Sequence, residues 1–93
     1  MGLTLGDRVR SSVAALMQAT GASQAEIAAS LGVGQAQVSR RQSGSAAWTL
    51  ADCDALAAHF GIDVLDLLAG PTRACETLPA RRRRPARARE VTR

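Results

Sequence analysis

Three times along the chain a Thr or Ser is followed three positions later by an acid, at Thr4/Asp7, Ser23/Glu26 and Thr49/Asp52, and each time apolar residues at helical spacing come next. This is the spacing of a capping box, in which the hydroxyl and the acid each accept an N–H that a helix start leaves without a partner. Glycines stand where such segments should stop, at Gly21, Gly32, Gly44 and Gly61. Glycine tolerates the left-handed residue that ends many helices. Starts and stops this close together leave room for a bundle of short helices, and the fold class expected is all-α. The first helix is predicted over about residues 5–19, with Leu5, Val9, Val13, Leu16 and Met17 as its stripe. A second follows Ser23 with Ala25, Ile27, Ala28 and Leu31 inward. A fourth carries Leu50, Cys53, Leu56, Ala57 and Phe60, and a fifth, capped by Asp63 and Asp66, carries Val64, Leu65, Leu67 and Leu68.

The third segment, residues 35–43, breaks this pattern. Val38 is its single strong apolar residue, and around it stand Gln35, Ala36, Gln37, Ser39, Arg40, Arg41, Gln42 and Ser43. A helix with one anchor and a face of Gln, Ser and Arg is suited to hydrogen bonding outward. Gln pairs with adenine N6 and N7, Arg with guanine O6 and N7, and a short Ala fits beside a thymine methyl. The turn Gly32-Val33-Gly34 permits a sharp crossing from the helix before. Residues 23–44 therefore have the make-up of a helix-turn-helix, whose second helix enters the major groove of duplex DNA.

Ser23-Gln24-Ala25-Glu26-Ile27-Ala28, Leu31-Gly32-Val33, Gln35, Val38-Ser39-Arg40 and Gly44 together resemble the Cro/C1-type (XRE) helix-turn-helix family. Residues 51–68, with Leu56-Ala57 and Phe60-Gly61-Ile62, resemble its last two helices. The resemblance covers about residues 5–70. It implies a five-helix, lambda-repressor-like DNA-binding domain, commonly a dimeric repressor of phages or bacteria. By position, it gives Gln24 a phosphate contact and the bracing of the next Gln, and it gives Gln35 a base to read. Ala36, Gln37 and Arg40 fall where base or groove contacts vary, and Ser39 and Ser43 fall near the DNA backbone. Gly34 stands where Ser or Thr often caps the reading helix. Arg41 stands where a large apolar residue is frequent, which suggests that it reaches a phosphate instead of packing inward. Gln42 replaces a frequent Glu.

Charge divides the chain. All twelve basic residues are Arg, a bias that a GC-rich genome also produces. Residues 1–70 carry four arginines against six acids, a net −2, whereas residues 71–93 carry eight arginines against Glu76 and Glu90, a net +6. Residues 1–70 are thus read as the domain. Residues 71–93, without sustained periodicity and with Pro79 and Pro85 flanking Arg81, Arg82, Arg83 and Arg84, are read as a flexible Arg-rich tail. Such a tail implies a polyanionic partner, nucleic acid before membrane, unless it serves only solubility or localisation. As an arm it would neutralise phosphates beside the main site or lie in the minor groove, and Ala and Arg after Pro85 leave a short helix on binding open. Phosphate contacts position a protein and base contacts specify, so the tail would add affinity more than selectivity.

Other chemistry lacks support. There is a single histidine, His59, read as a surface residue, and no nucleophile stands at sensible spacing from a base; no catalytic residue or enzyme activity is expected. Cys53 and Cys75 do not make a zinc ligand set, so no metal and no cofactor is expected. No apolar run approaches the roughly 18 residues of a membrane span, and a cytoplasmic, nucleoid-associated location is expected. At 93 residues the chain is expected to lack the separate self-cleaving domain of larger phage repressors. Trp48 reads either as core or as a dimer anchor, and three leucines at 65, 67 and 68 cannot all face one side of a short helix, which points to a homodimer. The first function implied is a sequence-specific regulator binding a palindromic duplex. Two others are open: an antitoxin-like interaction module whose tail engages a protein partner, and a non-specific DNA binder led by the tail.

Overall fold

The computed structural model describes residues 4–84. Six α-helices follow one another: α1 (Leu5–Thr20), α2 (Gln24–Leu31), α3 (Gln35–Ser43), α4 (Leu50–Phe60), α5 (Val64–Ala69) and α6 (Pro71–Glu76), then a single 3-10 turn, Ala80–Arg82. No strand occurs among the described residues.

The helix starts are built as their spacing predicts. Thr4, Ser23 and Thr49 each accept the N–H of the acid three residues on, and that acid accepts the N–H of the cap in return. The four expected stops, Gly21, Gly32, Gly44 and Gly61, are all left-handed, with φ between 72° and 93°. At α1 the box also acts on the acid. Bonds from the Thr4 hydroxyl and backbone, with Arg10 beside it, hold the Asp7 carboxyl below its ordinary range.

One core serves all six helices. Val13 and Leu16 of α1, Ile27 of α2, Val38 of α3, Leu56 and Phe60 of α4 and Leu67 of α5 are completely buried in it. Ser12 is the one buried polar residue among those described, and its hydroxyl donates to the Leu67 carbonyl at 2.8 Å. That bond ties α1 to α5 and leaves no orphan oxygen there.

The reading of residues 71–84 as flexible tail is corrected. Pro71 sits at the first position of α6, where its missing N–H costs nothing. Ala74 and Leu78 are buried, and α1–α6 is the most extensive helix–helix contact. A short helix anchored by one small residue leaves no apolar period to read, which is why its composition looked like tail. The helix left open after Pro85 falls outside the described residues.

Several inward assignments are also corrected. Ala25 is exposed, Leu5 lies at the open start of α1, and Leu50 and Leu65 are 75% and 70% exposed. Leu50 has the right spacing from Cys53. It is nevertheless the first residue of α4, beyond the reach of the helices that cover Cys53 and Leu56.

Candidate nucleic-acid interface

Helices α2 and α3 pack on each other across Gly32-Val33-Gly34. The turn closes through its own backbone: the Val33 N–H donates to the Ala28 carbonyl at 3.0 Å, and Gln37 and Val38 donate to the Gly34 carbonyl at 3.0 and 3.3 Å. Val38 is fully buried and pins α3 to the core. Gln35, Ala36, Gln37, Ser39 and Arg40 are all exposed, and none of their side chains hydrogen-bonds within the described residues. They form a continuous outward face of amide, methyl, hydroxyl and guanidinium groups.

Gly34 opens α3 in an extended conformation, φ −79° and ψ 154°, without a side-chain cap. A Cβ there would meet nothing within 4 Å. Neither backbone strain nor crowding inside the protein requires glycine at this position. Gln24 is half-buried at the start of α2. The Ser43 hydroxyl donates to the Arg40 carbonyl at 3.0 Å and lies 3.1 Å from the Ser45 hydroxyl, so it finishes the helix on its exposed side.

Arg41 corrects the outward role expected for it. Its Nε lies 3.5 Å from Oδ2 of Asp52, and its guanidinium carbon stands 5.8 Å from the centre of the Trp48 ring. The arginine packs inward after all, with Trp48 supplying the apolar surface and Asp52 the counter-charge. Gln42 joins this set: its amide donates to the Arg10 carbonyl at 3.1 Å and accepts from Trp48 Nε1 at 2.9 Å. Arg41, Gln42, Trp48 and Asp52 therefore lock the loop from α3 to α4 and fix the angle of the exposed face. Trp48 is packed against the core within this network.

The four consecutive arginines have separate positions. Arg82 donates to the His59 carbonyl at 2.7 Å, Arg83 donates to the Cys75 carbonyl, and the backbone N–H of Arg84 donates to the Ala19 carbonyl at 2.7 Å. Three successive residues thereby close the carboxyl ends of α4, α6 and α1, where carbonyls lack helical partners and cations are favoured. Arg81 is exposed. His59 is half-buried rather than a surface residue, and burial, followed by the nearby Arg82 charge, lowers its pKa below 6.5 although Glu26 opposes the shift. Cys53 is buried, and that burial, with Asp52 and Asp54 close by, raises its thiol pKa.

Sequence reasoning missed Gln18. It lies on α1 beside Gln24, Gln42 and Arg84 in a groove at the α1–α2 turn. No local signal marks it, because its neighbours there come from three other parts of the chain.

These features define a small helical domain whose second and third helices present a polar face suited to nucleic acid. The chain belongs to the BetR domain family, which matches residues 2–87. The match runs past α5 and takes in α6 and the arginines that fold back on it. No match to the Cro/C1-type family accompanies it. No curated protein and no solved structure matches the chain. Membership in this family carries a general DNA-binding, regulatory role. No described helix is long and apolar enough to cross a membrane.

Proposed function

We propose that this protein is a sequence-specific, double-stranded-DNA-binding transcriptional regulator that works in the Cro/C1 manner, as a phage or bacterial repressor. The observation that carries this reading is the division of α3: Val38 fully buried, and Gln35, Ala36, Gln37, Ser39 and Arg40 turned outward. In the major groove Gln35 and Gln37 pair with adenine edges, Arg40 with guanine, and Ala36 lies against a thymine methyl. Gln24 and Ser39 contact the sugar-phosphate backbone and set the register. The exposed Leu65 of α5 supports a homodimer on a palindromic operator, since a two-fold protein reads a two-fold site.

Selection of bound duplexes from a random pool tests this reading. A recovered two-fold symmetric sequence is the expected outcome. With that duplex in hand, Gln35→Ala should lose about 1–3 kcal/mol of discrimination at one base position in each half-site. Unchanged selectivity in that variant removes the base-reading role from Gln35, and a pool that yields no preferred sequence removes sequence specificity altogether.

A further inference from the structure

The α1–α2 turn at Gly21-Ala22 separates two grooves that both hold arginine but differ in whether an acid faces it. The groove on one side is lined by Glu26, His59, Arg81 and Arg82, so its cations face an acid. The groove on the other side is lined by Gln18 of α1, Gln24 of α2, Gln42 of α3 and Arg84, together with small and apolar residues, and no carboxylate lines it among the described residues. Gln42 is already committed to Arg10 and Trp48. The Gln18 and Gln24 amides and the Arg84 guanidinium make no side-chain hydrogen bond or ion pair among the described residues.

Arg84 is held in this groove by its backbone. Its N–H donates to Ala19 at the end of α1, and its side chain lies across Gly21 so closely that a Cβ there would stand 3.3 Å from its Cδ. The glycine that ends α1 thus also clears the path of the arginine.

We propose that this groove is a phosphate-gripping site in which Arg84, with Gln18 and Gln24 as neutral donors, binds the DNA backbone beside the duplex segment that α3 reads. The inference rests on the DNA-binding reading above and adds to Gln24 two groups from outside α2 and α3, Gln18 and Arg84. Three donor groups without an acid suit an anion that carries several acceptor oxygens. The groove is bordered by the first residue of α2 and the end of α3, so a strand lying along it borders the reading helix. Of the four consecutive arginines, this assigns Arg84 to DNA, while Arg82 and Arg83 hold helix ends.

The test is titration of the full chain with short duplexes of mixed sequence at several salt concentrations. Each phosphate contact contributes about 0.9 to the slope of log affinity against log salt. Arg84→Ala should lower the slope by about that amount, so that the wild-type advantage shrinks roughly threefold over a fourfold rise in salt. Arg84→Lys should restore the slope, and Arg73→Ala, which removes a cation already paired with Asp66 and Glu76, should leave it unchanged. The backbone bond to Ala19 survives Arg84→Ala, and an unchanged melting temperature verifies that the fold does too. Duplex binding by the wild type with no change of slope in Arg84→Ala overturns this site alone. An equal loss of slope in Arg73→Ala also overturns it, since the effect would then be one of overall charge. Failure of the wild type to bind any duplex overturns the DNA-binding reading and this site with it.

Discussion

Helix α3 and residues 71–84 are both short, polar and rich in arginine, and they direct those side chains oppositely. In α3 one residue, Val38, faces inward, and the amides and Arg40 face solvent. In residues 71–84, Ala74 and Leu78 are buried and the Arg82 and Arg83 side chains turn back onto the carboxyl ends of α4 and α6. The difference lies in what each segment meets. Helix α3 is fixed from behind by the Arg41–Gln42–Trp48–Asp52 network, which frees its front. The C-terminal segment meets three helix ends whose carbonyls need donors, and the guanidinium groups of Arg82 and Arg83 and the backbone N–H of Arg84 supply them. A run of like charges is therefore a structural element in one place and a ligand surface in another, according to the acceptors within reach.

Leu78→Ala tests most severely whether residues 71–84 are part of the core. If residues 71–84 belong to the core, removing a buried leucine costs about 2–5 kcal/mol, a large part of the stability of a domain this size, as read by urea unfolding. A change within about 0.5 kcal/mol, the usual range for a surface site, would return the segment to a dispensable tail.

A paired substitution sharpens the contrast inside α3 itself. Arg41→Ala should destabilise the fold by about 2 kcal/mol, because it removes the charge paired with Asp52 and the cation stacked near Trp48. Arg40→Ala, one residue earlier, should leave the melting temperature nearly unchanged and weaken binding to the selected duplex. The reverse outcome would mean that the two arginines have exchanged roles.

A smaller effect joins the two regions through pH. His59 has its folded-state pKa below 6.5, so the unfolded chain binds more protons in the window between the lowered value and 6.5. Stability is complete above that window and falls as pH drops through it. Melting curves from neutral to mildly acidic pH should show this decline, and His59→Gln should flatten it. An unaltered decline in that variant would assign the acid sensitivity to the carboxylates.

The smallest effect expected is at Gly34. Gly34→Ser adds a capping hydroxyl in a conformation that any residue adopts and should stabilise the fold by a few tenths of a kcal/mol. If the bare backbone at the start of α3 approaches DNA closely, the same variant binds duplex less well while melting higher. Equal or tighter binding would show that glycine is not required there.

Much of this protein is legible in its residues. Helix ends are local events: a hydroxyl, an acid three positions on and a glycine past the last turn interact within a few residues, so α1, α2 and α4 begin and end where their caps are written and α3 ends at its glycine. The exposed face of α3 is legible for the same reason, since eight of its nine positions offer little for a core. What lies beyond local spacing was not available. Leu50 satisfies the period of its stripe, but only the packing of the other helices reveals that nothing covers it. Arg41 looked outward until Trp48 and Asp52 were brought beside it. Arg81 to Arg84 read as one charged block, and only the tertiary structure separates the arginines that close helix ends from the one that enters the groove with Gln18 and Gln24. Local spacing thus determined the all-α class, the helix boundaries and the polar face of α3. The tertiary structure alone decided where the arginines point, because whether a guanidinium meets an acceptor depends on what the fold places within its reach, however distant in the chain.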